Sequence, residues 1–172
     1  MAKHRVLWIE DSAFIENTML LAPVYLSGRY DPTIALTATD GYDALQRQDF
    51  DAVIVDIRIP PGDDQRWVDA YFRSFESLKA GRLGLKLLDV VLAGPKEQWR
   101  ETLSPAARDP ERYGVLTVEG INELRNDLSR LGVSVYRDKG RNETADALLQ
   151  MLEEITNRHP KREATSESAN GS

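Results

Sequence analysis

Short apolar runs that stop at a carboxylate constrain this chain most. Val6-Leu7-Trp8-Ile9 runs into Glu10-Asp11, and Ala52-Val53-Ile54-Val55 runs into Asp56. Four apolar residues in a row, bounded by polar ones, have the pattern of a strand covered on both faces. Such strands belong to parallel sheets, where a crossover segment must return the chain between neighbours. Open sheets of this class bind ligands at the carboxyl ends of their strands. Three carboxylates gathered there repel one another unless a cation or protons join them. The pattern therefore predicts an α/β chain with a divalent-metal site around a reactive aspartate.

The rest of the chain keeps the alternation. Ser12 is placed to cap a helix with apolar positions Phe14, Ile15, Met19 and Leu20, and Pro23 lies near its end. Thr33–Thr37 reads as a strand, and a short helix opens at Asp40. After Asp56, Ile59-Pro60-Pro61-Gly62-Asp63-Asp64 is a turn by composition. Trp67, Tyr71, Phe75 and Leu78 then recur at helical spacing, and Ala80-Gly81-Arg82 ends that helix. Leu85, Leu87, Leu88, Val90 and Val91 mark another helix, closed by Gly94-Pro95. Lys96–Arg112 is a polar excursion around a short helix at Glu97–Leu103. Val115–Val118 is the fourth strand, Ile121 to Leu131 a helix stopped by Gly132, and Val133–Tyr136 the fifth strand. Thr144–Ile155 is a last helix, and residues 158–172 read as a disordered tail.

Composition excludes several classes. The 172 residues suit one domain with a sizeable core. A net charge of −6 supplies no basic field for nucleic acid or anionic membranes, so neither is expected as a direct partner. The absence of cysteine removes disulfides and thiolate chemistry and fits a cytoplasmic protein. No apolar stretch is long enough for membrane insertion. His4 and His159 stand near the ends with no ligand beside them, and neither is assigned to metal or phosphotransfer.

Five motifs in order, "VLWIED", "DAVIVDIRIPPGDD", "LGLKLL", "VLTV" and "VYRDKG", resemble the receiver domain of two-component response regulators (CheY-like) over residues 4–157. The 22-residue separation of Thr117 and Lys139 (139 − 117) is similar to that family's. The resemblance implies a flavodoxin-like, doubly wound five-stranded parallel sheet of order 2-1-3-4-5 with helices on both faces. Within that pattern the chain reads as a stand-alone receiver domain over 1–157, with no room for an effector domain after Ile155 and with extra helical insertions at about 63–83 and about 94–112.

By the same resemblance Asp56 is the phospho-acceptor in a phosphorelay, taking its phosphoryl group from a sensor histidine kinase or phosphotransfer protein. Mg²⁺ is the implied cofactor, held by Glu10, Asp11, Asp56 and the backbone carbonyl of Arg58. Lys139 and Thr117 contact the phosphoryl group, and Tyr136 moves with Thr117 as the switch. That switch works on the surface of the family's fourth helix, fifth strand and fifth helix, which faces an unspecified downstream protein target. Arg58 and Glu119 lie where the family modulates hydrolysis, and their opposite charges predict a pair across the entrance. The protein would then be no enzyme beyond its own phosphorylation and dephosphorylation at Asp56. A phosphatase-type enzyme is disfavoured because Arg58 stands where a second acid belongs.

The chain departs from the family in two places. Gly140 follows Lys139 where proline is usual, so Lys139 is expected to be oriented differently or held less rigidly. Asp56 and Thr117 lie 61 residues apart (117 − 56), roughly double the family's spacing. The Trp67-Tyr71-Phe75 stripe in the surplus packs on the body of the domain or forms a docking surface or homodimer contact. The alternative function is a phosphorylation-independent protein-binding module acting through that insertion or the switch face.

Overall fold

The computed structural model describes residues 2–15, 18–94, 98–99, 103–140 and 144–160. Its strands are β1 (His4–Ile9), β2 (Tyr30–Ala35), β3 (Ala52–Val55), β4 (Tyr113–Thr117) and β5 (Val135–Asp138). All pair in parallel, in the order β2-β1-β3-β4-β5. The helices are α1 (Thr18–Leu26), α2 (Ala38–Arg47), α3 (Gln65–Ser74), α4 (Leu83–Leu92), α5 (Ile121–Leu131) and α6 (Ala147–Arg158). A 3₁₀ turn at Pro110–Arg112 leads into β4. The parallel α/β sheet is what the apolar runs predict, and its flavodoxin-like order is what the receiver-domain resemblance implies.

Alternation along the central strands divides the core into two layers. Leu7, Ile9, Val53 and Val55 pack with Tyr42, Leu87, Leu88, Leu124 and Leu128 of α2, α4 and α5. Val6, Trp8, Ala52 and Ile54 pack with Leu20, Val24, Leu148, Met151 and Ile155 of α1 and α6. Each Val, Leu, Ile or Met among them contributes about 1.5–3 kcal/mol on full burial. With both faces covered, the strand ends are where polar side chains can meet solvent.

Several boundaries differ from the sequence reading, each for a local reason. β2 begins earlier and stops at Ala35, because Thr37 is spent capping α2: its hydroxyl accepts from the Asp40 amide at 3.0 Å. β5 begins at Val135 rather than Val133. Gly132, at φ 76°, closes α5, and the Val133 amide still bonds the Leu128 carbonyl at 2.9 Å. Ser12 does not cap a helix. Residues 11–15 form turns, α1 starts at Thr18 and runs through Pro23 to Leu26, and Phe14, Ile15 and Met19 are exposed.

The aromatic stripe after β3 splits. Trp67 is fully buried, its ring centroid 4.2 Å from that of Trp99 and 5.8 Å from that of Tyr42. Tyr71 is half-buried against the same core. The helix then ends at Ser74, whose hydroxyl donates to the Tyr71 carbonyl (2.6 Å) and accepts from the Gly81 amide (2.9 Å). The stripe expected to continue through Leu78 is thereby broken, and Phe75 and Leu78 face solvent. Most of the helix expected at Glu97–Leu103 and of the expected tail lies outside the described residues. Trp99 and Leu103, which are described, are buried.

Candidate active site

The carboxyl ends of β1, β3, β4 and the residue after β5 converge on one edge. Glu10, Asp56 and Thr117 are buried there, while Asp11 is exposed. The Lys139 ammonium lies 3.0 Å from Asp56 Oδ2 and also donates to Glu10 Oε2. Its backbone amide donates to the Thr117 carbonyl at 2.8 Å, which registers it against β4. Glu10 is fixed from its other side: Oε1 accepts from the Ser12 amide (3.1 Å) and hydroxyl (2.8 Å). Ser12 is thus a positioning residue for Glu10.

Glycine at 140 follows Lys139 through a trans peptide bond. No peptide bond among the described residues is cis, and the Gly140 amide donates to Asp138 Oδ1 at 2.6 Å, a bond proline could not make.

Burial pushes the Asp56 carboxyl above its usual range. Lys139 opposes that shift, Glu10 adds to it, and the Thr117 hydroxyl opposes it. For Lys139, burial alone would lower the ammonium, but Asp56 and Glu10 outweigh it and the net shift is upward. The site therefore holds two buried carboxylates against one buried cation, with Asp11 adding a further negative charge at the mouth. One carboxylate oxygen from each of Glu10, Asp11 and Asp56 falls within a 4.8 Å group. Three hard anionic oxygens, two of them buried, fit a small divalent ion such as Mg²⁺. The Arg58 amide lies 3.4 Å from Asp56 Oδ1, so that residue borders the same oxygens.

Around this centre sits a second charged layer. Arg58 Nε is 2.7 Å from Glu119 Oε1, and Arg82 Nε is 2.8 Å from Glu119 Oε2. Arg82 also reaches Glu123 at 2.5 Å. The Arg58 guanidinium bonds the Ala80 carbonyl at 3.2 Å. Two positions that flank the centre are thereby tied to the segment between α3 and α4. Tyr136 is half-buried, and its hydroxyl donates to the Glu119 carbonyl at 2.5 Å.

Three contributors escaped the sequence reading. Arg82 gave no signal, being one polar residue in a turn. Ser12 was legible only as a helix cap. Gly84 was visible as an isolated glycine in a helical pattern. A Cβ on Gly84 would lie 1.9 Å from the Asp56 carbonyl oxygen, and its amide donates to the Ile57 carbonyl at 2.9 Å. The first turn of α4 thus rests directly on the backbone that carries Asp56. His159, read as lacking neighbours, in fact faces Glu111 at 3.4 Å and Asp109 at 3.7 Å, far from this edge of the sheet. His4 faces Asp51 at 3.6 Å.

Comparison with solved structures identifies the fold as that of CheY-like receiver domains. A response regulator receiver domain protein from Methanospirillum hungatei superposes with a TM-score of 0.57 at 18% identity, over 91% of this chain and 96% of that one. A receiver domain of a sensor histidine kinase from Pseudomonas aeruginosa, described with magnesium coordinated in its active site cleft, gives 0.55 at 16%, over 91% and 99%. A response regulator from Thermotoga maritima gives 0.55 at 17%, over 91% and 99%. No protein-family model matches the chain, and no curated protein matches it in sequence.

Proposed function

We propose that this chain is a phospho-acceptor receiver, taking a phosphoryl group from a histidine kinase or phosphotransfer protein onto Asp56. The observation that carries the reading is Lys139, 3.0 Å from Asp56 on a strand-end edge that also gathers Glu10, Asp11 and Thr117. An Asp56 carboxylate oxygen attacks phosphorus and forms the new O–P bond. The N–P bond of the donor phosphohistidine breaks, and the imidazole nitrogen keeps the electron pair and takes a proton. Such transfer depends mainly on positioning and on neutralising the peripheral oxygens. Lys139 supplies a fixed cation and Thr117 a hydroxyl donor for those oxygens. Mg²⁺ held by Glu10, Asp11 and Asp56 would supply the remaining neutralising charge. Arg58 and Glu119 restrict the approach of water to the acyl phosphate, and Tyr136, bonded to the Glu119 carbonyl, carries a change at Thr117 toward the α5–β5–α6 surface.

The test is incubation with Mg²⁺ and acetyl phosphate or beryllofluoride, with mass analysis of Asp56. A one-to-one adduct that Asp56→Asn abolishes is the expected result. An unmodified Asp56 would leave the second reading, a phosphorylation-independent binding module. The exposed Phe72, Phe75 and Leu78 on the segment beside the site favour that alternative. No helix among the described residues is long and apolar enough to cross a membrane.

A further inference from the structure

Behind the acceptor edge, α3, the connection after it, α4 and α5 enclose a cleft of about 380 Å³. Six cationic side chains line it: Arg66, Arg73, Lys79, Arg82, Lys86 and Arg130. Among its described lining residues Asp89 is the one acid. In a chain of net charge −6 this is a local reversal of sign, assembled from four separate segments. Concave sites lined by one sign of charge concentrate the opposite ion.

Arg66 is paired with Asp64 at 2.7 Å and Arg82 with Glu119 at 2.8 Å, both acids outside the lining, and two further pairs are more open. Lys79 meets Asp127 at 3.0 Å, and Arg130 meets Asp89 at 3.0 Å. In both pairs the cation's side chain is about half exposed, 55% and 50%. Pairs that open to water hold their partners weakly. A phosphate oxygen is a strong acceptor for the same guanidinium and ammonium groups and can replace or join a carboxylate there. Arg73 contacts only the backbone Asp69 carbonyl among its described hydrogen bonds, which leaves its charge unmatched by that contact. The Ser74 and Ser77 hydroxyls complete a polar wall.

Aromatic recognition is not on offer. Trp99 is buried, with Trp67 at 4.2 Å, Tyr42 at 5.2 Å and the Arg66 guanidinium at 4.6 Å from its ring. No indole face is left open to stack a base, so recognition must come from anionic groups alone. We propose that this cleft binds a compact oligophosphate. The cleft shares Arg82 with the charged layer around Asp56, and the proposal stands whether or not Asp56 is phosphorylated.

The experiment is titration calorimetry of the full chain with sodium triphosphate, in buffer free of divalent cations, at low and moderate salt. The expected result is saturable one-to-one binding that weakens with salt. Arg73→Ser with Lys86→Ser weakens it at least about tenfold, while Arg47→Ser on α2, outside the cleft, leaves it unchanged. Lys86→Glu alone repeats the loss in a chain with one change, should the double variant melt. Asp56→Asn binds as the parent does. ATP binds no more tightly than triphosphate. Absence of saturable heat to about 1 mM overturns the proposal, as does equal affinity in the double variant or loss of binding in Asp56→Asn. Much tighter ATP binding overturns the restriction to phosphate groups.

Discussion

The Arg82 guanidinium lies 2.8 Å from the Glu119 carboxylate and ties the segment between α3 and α4 to the loop that follows Thr117. Glu119 is buried and Arg82 nearly so, at 5% and 13% side-chain exposure, and the other Glu119 oxygen holds Arg58. Removing either arginine leaves the carboxylate with one partner instead of two. If this arrangement keeps water from the acyl phosphate, Arg82→Ala, Arg58→Asn and Glu119→Ala each shorten the half-life of phosphorylated Asp56. About 1.4 kcal/mol lost from the restraint corresponds to a tenfold faster hydrolysis. Arg82→Lys keeps the charge and restores part of the lifetime. Radiolabel decay measures this directly, and unchanged half-lives in all three variants would refute it.

Asp56 makes stability depend on pH. The folded protein binds its proton more tightly than the unfolded chain does, chiefly because the carboxyl is buried. Ionising it therefore costs stability, and that cost grows as pH rises from the ordinary carboxylate range through the raised value. In metal-free buffer, Asp56→Asn melts higher than the parent at pH 7.5, by about 2–4 °C per kcal/mol of relief. The gain vanishes toward pH 4. A difference independent of pH would mean that burial does not set this carboxyl. Lys139 acts at the other end of the scale: its raised ammonium contributes stability that is lost as pH climbs through and beyond the normal lysine range.

Divalent cation reverses the first effect. Mg²⁺ at about 100 times its Kd stabilises the folded state by about 2.7 kcal/mol, and the parent Tm rises accordingly. Asp11 is exposed and makes little of the core, so Asp11→Asn folds normally and loses most of that rise. A full Mg²⁺ response in Asp11→Asn would remove this carboxylate from the ligand set.

Gly84→Ala places a methyl group 1.9 Å from the Asp56 carbonyl oxygen, against backbone that cannot step aside. Overpacking costs typically about 1–3 kcal/mol, and at this distance the upper end or more is expected by chemical denaturation. Because the displaced backbone carries Asp56, beryllofluoride adduct formation falls as well. Normal stability and adduct formation together would show that α4 does not bear on the acceptor strand.

Burial divides the aromatic segment into two classes of position. Trp67→Ala empties the centre of an aromatic cluster and costs about 3–5 kcal/mol. Leu78→Ser changes a fully exposed side chain and stays within about 0.5 kcal/mol of the parent. Thermal unfolding distinguishes the two, and comparable losses at both sites would contradict the packing described.

The strands and the five converging residues were legible because their signals are local and categorical: an apolar run, then a carboxylate, hydroxyl or ammonium; the strand order came from the resemblance to receiver domains. Boundaries were less so, since Thr37, Val133 and Ser12 each have two plausible uses and only the tertiary contacts select one. Ser12 bonds Glu10 rather than capping a helix, and Val133 completes the α5 cap before β5 begins. The exposed Phe75 and Leu78 defeat periodicity for a different reason: the helix stops at Ser74, and the pattern continues without it. Arg82 could not be found at all, because pairing across distant segments leaves no periodic trace.

The tilted indoles of Trp67 and Trp99, 4.2 Å apart and inclined at 42°, have one more consequence. Of the three tryptophans, Trp8 lies in the opposite layer of the core. Electronic transitions of two rings this close couple, so their near-ultraviolet dichroism depends on the angle and distance between them. One ring rides on α3 and the other on the chain beyond α4. The protein thus carries an unlabelled optical gauge of how firmly that segment is seated, readable while Asp56 is modified or anion is added.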